Sequence, residues 1–204
     1  MNLLFDGPRG ATSRVVLAHG AGAGMDHPFM TAVAEGLAER GLRVARFEFP
    51  YMERRRAEGK RYGPDRPRVL LERWREVIGA LSKPGRRLVI GGKSMGGRIA
   101  SMVADETGVD GLVCLGYPFH PPGRPEKLRV AHLEDLATPT LILQGERDPF
   151  GGRDEVAGYR LSRAIRVEWL PDGDHSLKPR KASGRTHQEN LGRAIALAAE
   201  FAAG

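Results

Sequence analysis

The chain is poor in several things, and each scarcity excludes something. Of 204 residues one is a cysteine, so no internal disulfide can form. Cys114 lies in an apolar run (GLVCLG) and reads as a small buried hydrophobe. No uninterrupted apolar run approaches the ~20 residues a membrane span requires. The opening residues Met1–Gly10 (MNLLFDGPRG) have neither a basic start nor a small-residue cleavage site, so they do not read as a secretory signal. These features predict a cytoplasmic protein that makes no use of a membrane. Aromatic residues are only 6% of the chain. No Cys/His/Asp cluster has metal-ligand spacing, so neither a metal nor an organic cofactor is expected.

Acidic charge is also in short supply, 25 residues against 32 basic ones, which leaves a formal charge of +7. Only six of the basic residues are lysines; the rest are arginines. Seven basic residues crowd the stretch 54–68, including Arg54, Arg55 and Arg56. That stretch reads as a solvated basic loop, with attraction of an anionic substrate as its functional alternative. At physiological salt its reach is about 8 Å, so it would act only near a site mouth. Tyr51 and Tyr62 are the only rings nearby, too few for a base-stacking surface, so nucleic acid is not expected as a main partner.

What is present is an alternation of short β-branched runs with longer amphipathic stretches, the pattern of an α/β fold with a largely parallel sheet. Strands are expected at 15–19, 43–49, 87–91, 111–115, 140–143 and 165–170, with a seventh candidate at 3–6. Helices are expected at 28–40, 67–81, 95–106, 152–161 and 186–203. Neither repeat nor linker composition interrupts the chain, so residues 1–204 read as one domain. The stretch from 116 to 139 is too short for a large helical lid, which predicts an open, shallow site.

The most informative stretch is LVIGGKSMGGR, in which Gly92-Lys93-Ser94-Met95-Gly96 forms G-x-S-x-G between a strand and a helix. A serine nucleophile needs a tight strand-to-helix turn to project its hydroxyl above the sheet, and residues two before and two after must be small. Gly92 and Gly96 meet that demand, and the Met95 N–H is left to face a developing oxyanion. Two nucleotide-binding rivals fail at single positions. A phosphate loop ending in Lys93-Ser94 would need glycine where Arg87 stands, and a dinucleotide turn starting at Gly20 would need one where Met25 stands.

A serine hydroxyl needs a base, and the base a third group to orient it. Downstream, TLILQGERDP puts Asp148 in a loop just after a strand, and IRVEWLPDGDH does the same for His175. Glu146, Asp172, Asp174, His132 and His187 are weaker candidates. His120, after GYPF, could line the site, as could His27 at a helix start. VVLAHGA is a strand followed by His19-Gly20-Ala21, where Ala21 is the expected second oxyanion donor and His19 a brace for the loop.

With these stretches together, the chain resembles the α/β-hydrolase superfamily over essentially its whole length. More narrowly it is similar to a small, cap-poor branch near the dienelactone-hydrolase-like proteins. The resemblance implies a three-layer α/β/α sandwich with a mostly parallel sheet of six or seven strands. It further implies Ser94 as nucleophile, Asp148 as orienting acid and His175 as base of a serine hydrolase acting on a small ester, thioester or amide. Dienelactone hydrolase itself carries cysteine at the nucleophile position, so its substrate does not transfer. The chain also resembles the hydrolase-like part of a chromatin-acetylating-complex subunit, where the fold serves as scaffold. A non-catalytic binding module is therefore the alternative. Nothing in the sequence speaks to oligomeric state.

Overall fold

The computed structural model describes residues 1–204. Seven strands, β1 (Leu3–Asp6), β2 (Ser13–Ala18), β3 (Arg43–Phe47), β4 (Arg87–Lys93), β5 (Gly111–Leu115), β6 (Thr140–Gly145) and β7 (Ile165–Leu170), form one sheet. Their order is β1-β3-β2-β4-β5-β6-β7, with β1 antiparallel to β3 and every other neighbouring pair parallel. The direction of winding reverses at β2, which sits between β3 and β4. Crevices at the carboxyl ends of strands open at such a reversal.

Side-chain alternation along the strands builds two cores. Val16 and Ala18 of β2, Ile90 of β4 and Leu112 and Cys114 of β5 face α3 (Pro67–Leu81) and α4 (Met95–Ser101). Val15, Leu17, Val89, Val113 and Leu115 face α1 (Pro28–Ala38) and α7 (His187–Ala203). Because both faces are covered, β2, β5 and β6 are buried at every position, so each centres on an unbroken apolar run rather than an alternating one. The result is the expected three-layer α/β/α sandwich. Residues 116–139 hold only a 3-10 turn, Ala131–Leu133, and no cap covers the sheet's carboxyl edge.

Local signals set the helix ends. Proline opens α1, α2 (Pro50–Glu58) and α3, where its missing N–H costs nothing. Thr186 and Glu189 form a reciprocal capping box at the start of α7.

Three expectations need correction. The first half of the 54–68 basic stretch is helix α2 rather than loop, bounded by Pro50 and by Gly59 in the left-handed region at φ 65°. Both are recognisable helix boundaries. The helix expected at 95–106 is two pieces, α4 and α5 (Ala104–Thr107). Met102 and Val103 donate to carbonyls three residues back, and the Ser101 hydroxyl takes the Arg98 carbonyl, so the first piece closes early. Finally, only α6 (Arg153–Val156) is helical within 152–161. Gly158 weakens the segment, which continues in three-residue turns to Tyr159.

Candidate active site

Ser94 occupies the turn between β4 and α4 with φ 51° and ψ −117°, a conformation that side-chain-bearing residues rarely adopt. The turn is locked by close approach of β2. A Cβ on Gly92 would collide with the Ala18 carbonyl oxygen, and one on Gly96 would lie 2.6 Å from that of His19. The two glycines of the motif are thus required by packing, as the sequence argument anticipated.

Asp148 and His175 come from the loops after β6 and β7. His175 Nε2 lies 2.8 Å from Ser94 Oγ, and its Nδ1 lies 2.8 Å from Asp148 Oδ2. Asp148 is buried, and the Phe150 N–H donates to its other oxygen at 2.9 Å. The Phe150 ring lies against the imidazole with centroids 4.1 Å apart. Asp174, read from the sequence as a turn former, accepts from the Ser176 and Lys178 N–H groups and so ties the histidine's loop.

Two supporting residues were not singled out from the sequence. Gln144, fully buried at the end of β6, donates to Asp148 Oδ2 at 3.0 Å, to the Tyr117 carbonyl at 3.1 Å and to the Gly151 carbonyl at 3.1 Å. Its own carbonyl accepts from the Tyr117 N–H at 2.7 Å. A polar side chain inside an otherwise apolar strand, four residues before Asp148, is the signal that could have found it. Lys93 donates from Nζ to the His175 carbonyl and lies 5.5 Å from the Phe29 ring centroid. Burial pulls its ammonium down to about 8, partly offset by Asp148 and Asp174.

The loop after β2 forms the facing wall. The Phe49 N–H donates to His19 Nε2 at 3.1 Å, so His19 Nδ1 carries the proton and donates to the Gly20 carbonyl at 2.7 Å. Burial lowers the His19 pKa, which keeps it neutral in this bracing role. The Tyr51 hydroxyl holds the same loop by donating to the Ala21 carbonyl at 3.0 Å. The Ala21 N–H has no partner within the chain.

Two cavities meet at Ala21, Ser94 and Phe150. The first, of about 300 Å³, is lined also by His27, Phe29, Lys93 and His175. The second, of about 390 Å³, is lined also by Met95, Arg98 and Arg129. His27 therefore reaches the site; it also caps α1, accepting from the Phe29 N–H.

Other candidates lie elsewhere. His120 is buried, with Nδ1 at the Pro121 carbonyl and Nε2 3.4 Å from Glu155, and it lines neither cavity. Arg54 pairs with Asp65 at 2.6 Å, and Arg56 pairs with buried Glu48 at 2.7 Å and with Asp26 at 2.9 Å. Arg55 and Arg56 border a separate depression beside Gly22, Glu48 and Met52. The expected free basic cluster is thus corrected: ion pairing neutralises Arg54 and Arg56, and Arg68 pairs with Glu72 at 2.7 Å. His132 bonds Ser101, and His187 bonds the Ser176 carbonyl. No group of three or more His, Cys, Asp or Glu side chains is placed to hold a metal ion. No helix is long and apolar enough to cross a membrane.

A parallel sheet reversing at β2, with a serine on a strained turn after β4, defines the α/β-hydrolase class. Residues 11–203 match the family described as alpha/beta hydrolase domain, and the chain belongs to that family. Among solved structures it is similar to an alpha-beta serine hydrolase homologue from Coxiella burnetii, with 22% identity and a TM-score of 0.72 over 95% of this chain and 89% of that one. A serine hydrolase without lid from Xanthomonas campestris gives 19% identity and a TM-score of 0.71 over 99% and 89%. A dienelactone hydrolase from Anabaena variabilis gives 25% identity and a TM-score of 0.71 over 97% and 88%. The fold and these neighbours support a hydrolase.

Proposed function

We propose that the chain is a serine carboxylesterase in which Ser94, His175 and Asp148 act as nucleophile, base and orienting acid. The observation that carries this reading is the unbroken chain of contacts from Ser94 Oγ to His175 Nε2 and from His175 Nδ1 to Asp148 Oδ2, each 2.8 Å. Asp148, already holding N–H donors from Phe150 and Gln144, keeps the imidazole tautomer with hydrogen on Nδ1, so Nε2 is free to take the serine proton. Ser94 Oγ then attacks the ester carbonyl as His175 accepts its proton. The N–H groups of Met95 and Ala21 stabilise the resulting oxyanion; one such donor is typically worth about 3–4 kcal/mol. His175 returns the proton to the leaving oxygen, and the alcohol departs. Water, deprotonated by the same imidazole, releases the acid and restores Ser94. Thioesters and amides fit the same cycle. The open site suits small or exposed acyl groups, and a single unpaired cysteine accords with a cytoplasmic setting.

Labelling with a fluorophosphonate tests the reading directly. The native protein should be labelled and should hydrolyse short nitrophenyl esters, and folded Ser94→Ala should do neither. A folded native protein that resists the probe would overturn the assignment.

A further inference from the structure

Of the two cavities flanking Ser94, the second carries two arginines. We infer that the second one is an anion subsite in which Arg98 and Arg129 bind a carboxylate on the acyl part of the substrate, making half-esters of dicarboxylic acids the substrate class. This rests on the esterase reading above and deepens it.

Arg98 and Arg129 line the cavity together with Ser94 and Met95. Neither has a salt bridge or a side-chain hydrogen bond anywhere in the chain, in contrast to Arg46, Arg54, Arg56 and Arg73, which all have carboxylate partners. The Arg98 Nε is buried with no hydrogen-bond partner at all. The two cations also oppose one another: burial and the nearby Arg98 charge both lower the Arg129 pKa. The one acid on the cavity wall, Asp65, has both oxygens engaged, one by Arg54 and one by the Tyr51 N–H. The cavity thus offers two cations whose charge no carboxylate of the chain offsets. A guanidinium fork matches a carboxylate with two parallel bonds.

The chemistry decides which part of the ester enters. The leaving oxygen must receive its proton from His175, which lines the first cavity and not the second. The leaving alcohol therefore occupies the first cavity, and the acyl chain extends from the Ser94 carbon towards Arg98 and Arg129. Hydrolysis forms an acyl-Ser94 bond, sends the alcohol out with the proton from His175, and uses one water to release the dicarboxylic acid.

Two measurements test the subsite, one with catalysis and one without. In the first, kcat/KM is compared for 4-nitrophenyl hydrogen glutarate and the neutral 4-nitrophenyl pentanoate at low salt. A charge-assisted pair is worth about ten- to a hundredfold, so the native protein should favour the glutarate by at least about tenfold. In Arg98→Gln/Arg129→Gln that ratio should fall to near one, while Arg98→Lys/Arg129→Lys should retain part of it. A native ratio at or below one, or a ratio unchanged by the double glutamine variant, would overturn the proposal. In the second, glutarate is titrated calorimetrically into Ser94→Ala, which needs no turnover. Binding that weakens at least about tenfold when both arginines become glutamine supports the subsite even if no ester is cleaved. No binding overturns it even if neutral esters are hydrolysed. Failure of the esterase reading itself would appear separately, as absence of Ser94-dependent hydrolysis of either ester.

Discussion

Replacing Gln144 with leucine should destabilise the protein by about 3 kcal/mol, and the figure follows from what its amide holds. Two backbone groups depend on that side chain alone: the Tyr117 N–H, which has no other acceptor, and the Gly151 carbonyl, which has no other donor. Both residues are buried, so water cannot take the place of the lost amide. An orphaned buried polar group costs about 1–3 kcal/mol, giving about 2–6 kcal/mol for the pair. The Tyr117 carbonyl keeps its bond from the Phe119 N–H, and Asp148 keeps those from Phe150 and His175, so these add little. Leucine is nearly the same size and gains favourable apolar burial, which moves the total towards the lower half of that range. Urea unfolding should show a lower midpoint with an unchanged slope. In a chain of this length the melting temperature should fall by roughly 6–12 °C. A loss below about 1 kcal/mol would show that the amide is not the keystone of this corner, and the argument from orphaned groups would fail.

Lys93 gives a prediction in pH. Its folded-state pKa is down near 8 against an ordinary 10.5 because burial disfavours the ammonium. Between those values the unfolded chain holds a proton that the folded one has released, so this lysine makes stability rise with pH across that window. The stability difference between native protein and Lys93→Met should therefore rise by about 2 kcal/mol from pH 8 to 10 in urea titrations, and a flat difference would contradict burial of the charge. Arg56→Ala would strand buried Glu48, whose carboxylate has a side-chain exposure of only 2%, and should cost about 3 kcal/mol. Arg55→Ala, with no pair to break, should change stability by less than about 0.5 kcal/mol in the same assay. Equal effects would refute the distinction between paired and unpaired members of this run.

The legible parts of the sequence were those governed by local spacing. Alternation and turn residues located all seven strands, because each core-facing run is bounded by glycine, proline or polar loops. The Ser94 turn was legible because steric demand fixes glycine at 92 and 96. Asp148 and His175 were legible as candidates because each follows a strand in a parallel sheet. Helix integrity was harder. The break after Ser101 depends on a hydroxyl choosing a carbonyl three residues back, which leaves no composition signature. The pairing of Arg54 and Arg56 was illegible for a different reason, since their partners Asp65, Glu48 and Asp26 come together only once β3 and α2 are in place. Gln144 resembled any polar residue near a strand end, and the lack of partners for Arg98 and Arg129 can be judged only in three dimensions.

Ser94 stands at the end of β4, well inside the sheet, while His175 follows β7, one of the two edge strands, most of whose residues are only half covered. The proposed reaction centre is thus strung between an unyielding midrib and a margin that can loosen before the whole gives way. A bound substrate that bridged the two would act as a clasp, stiffening the margin that carries the imidazole, so occupancy and local order would rise together.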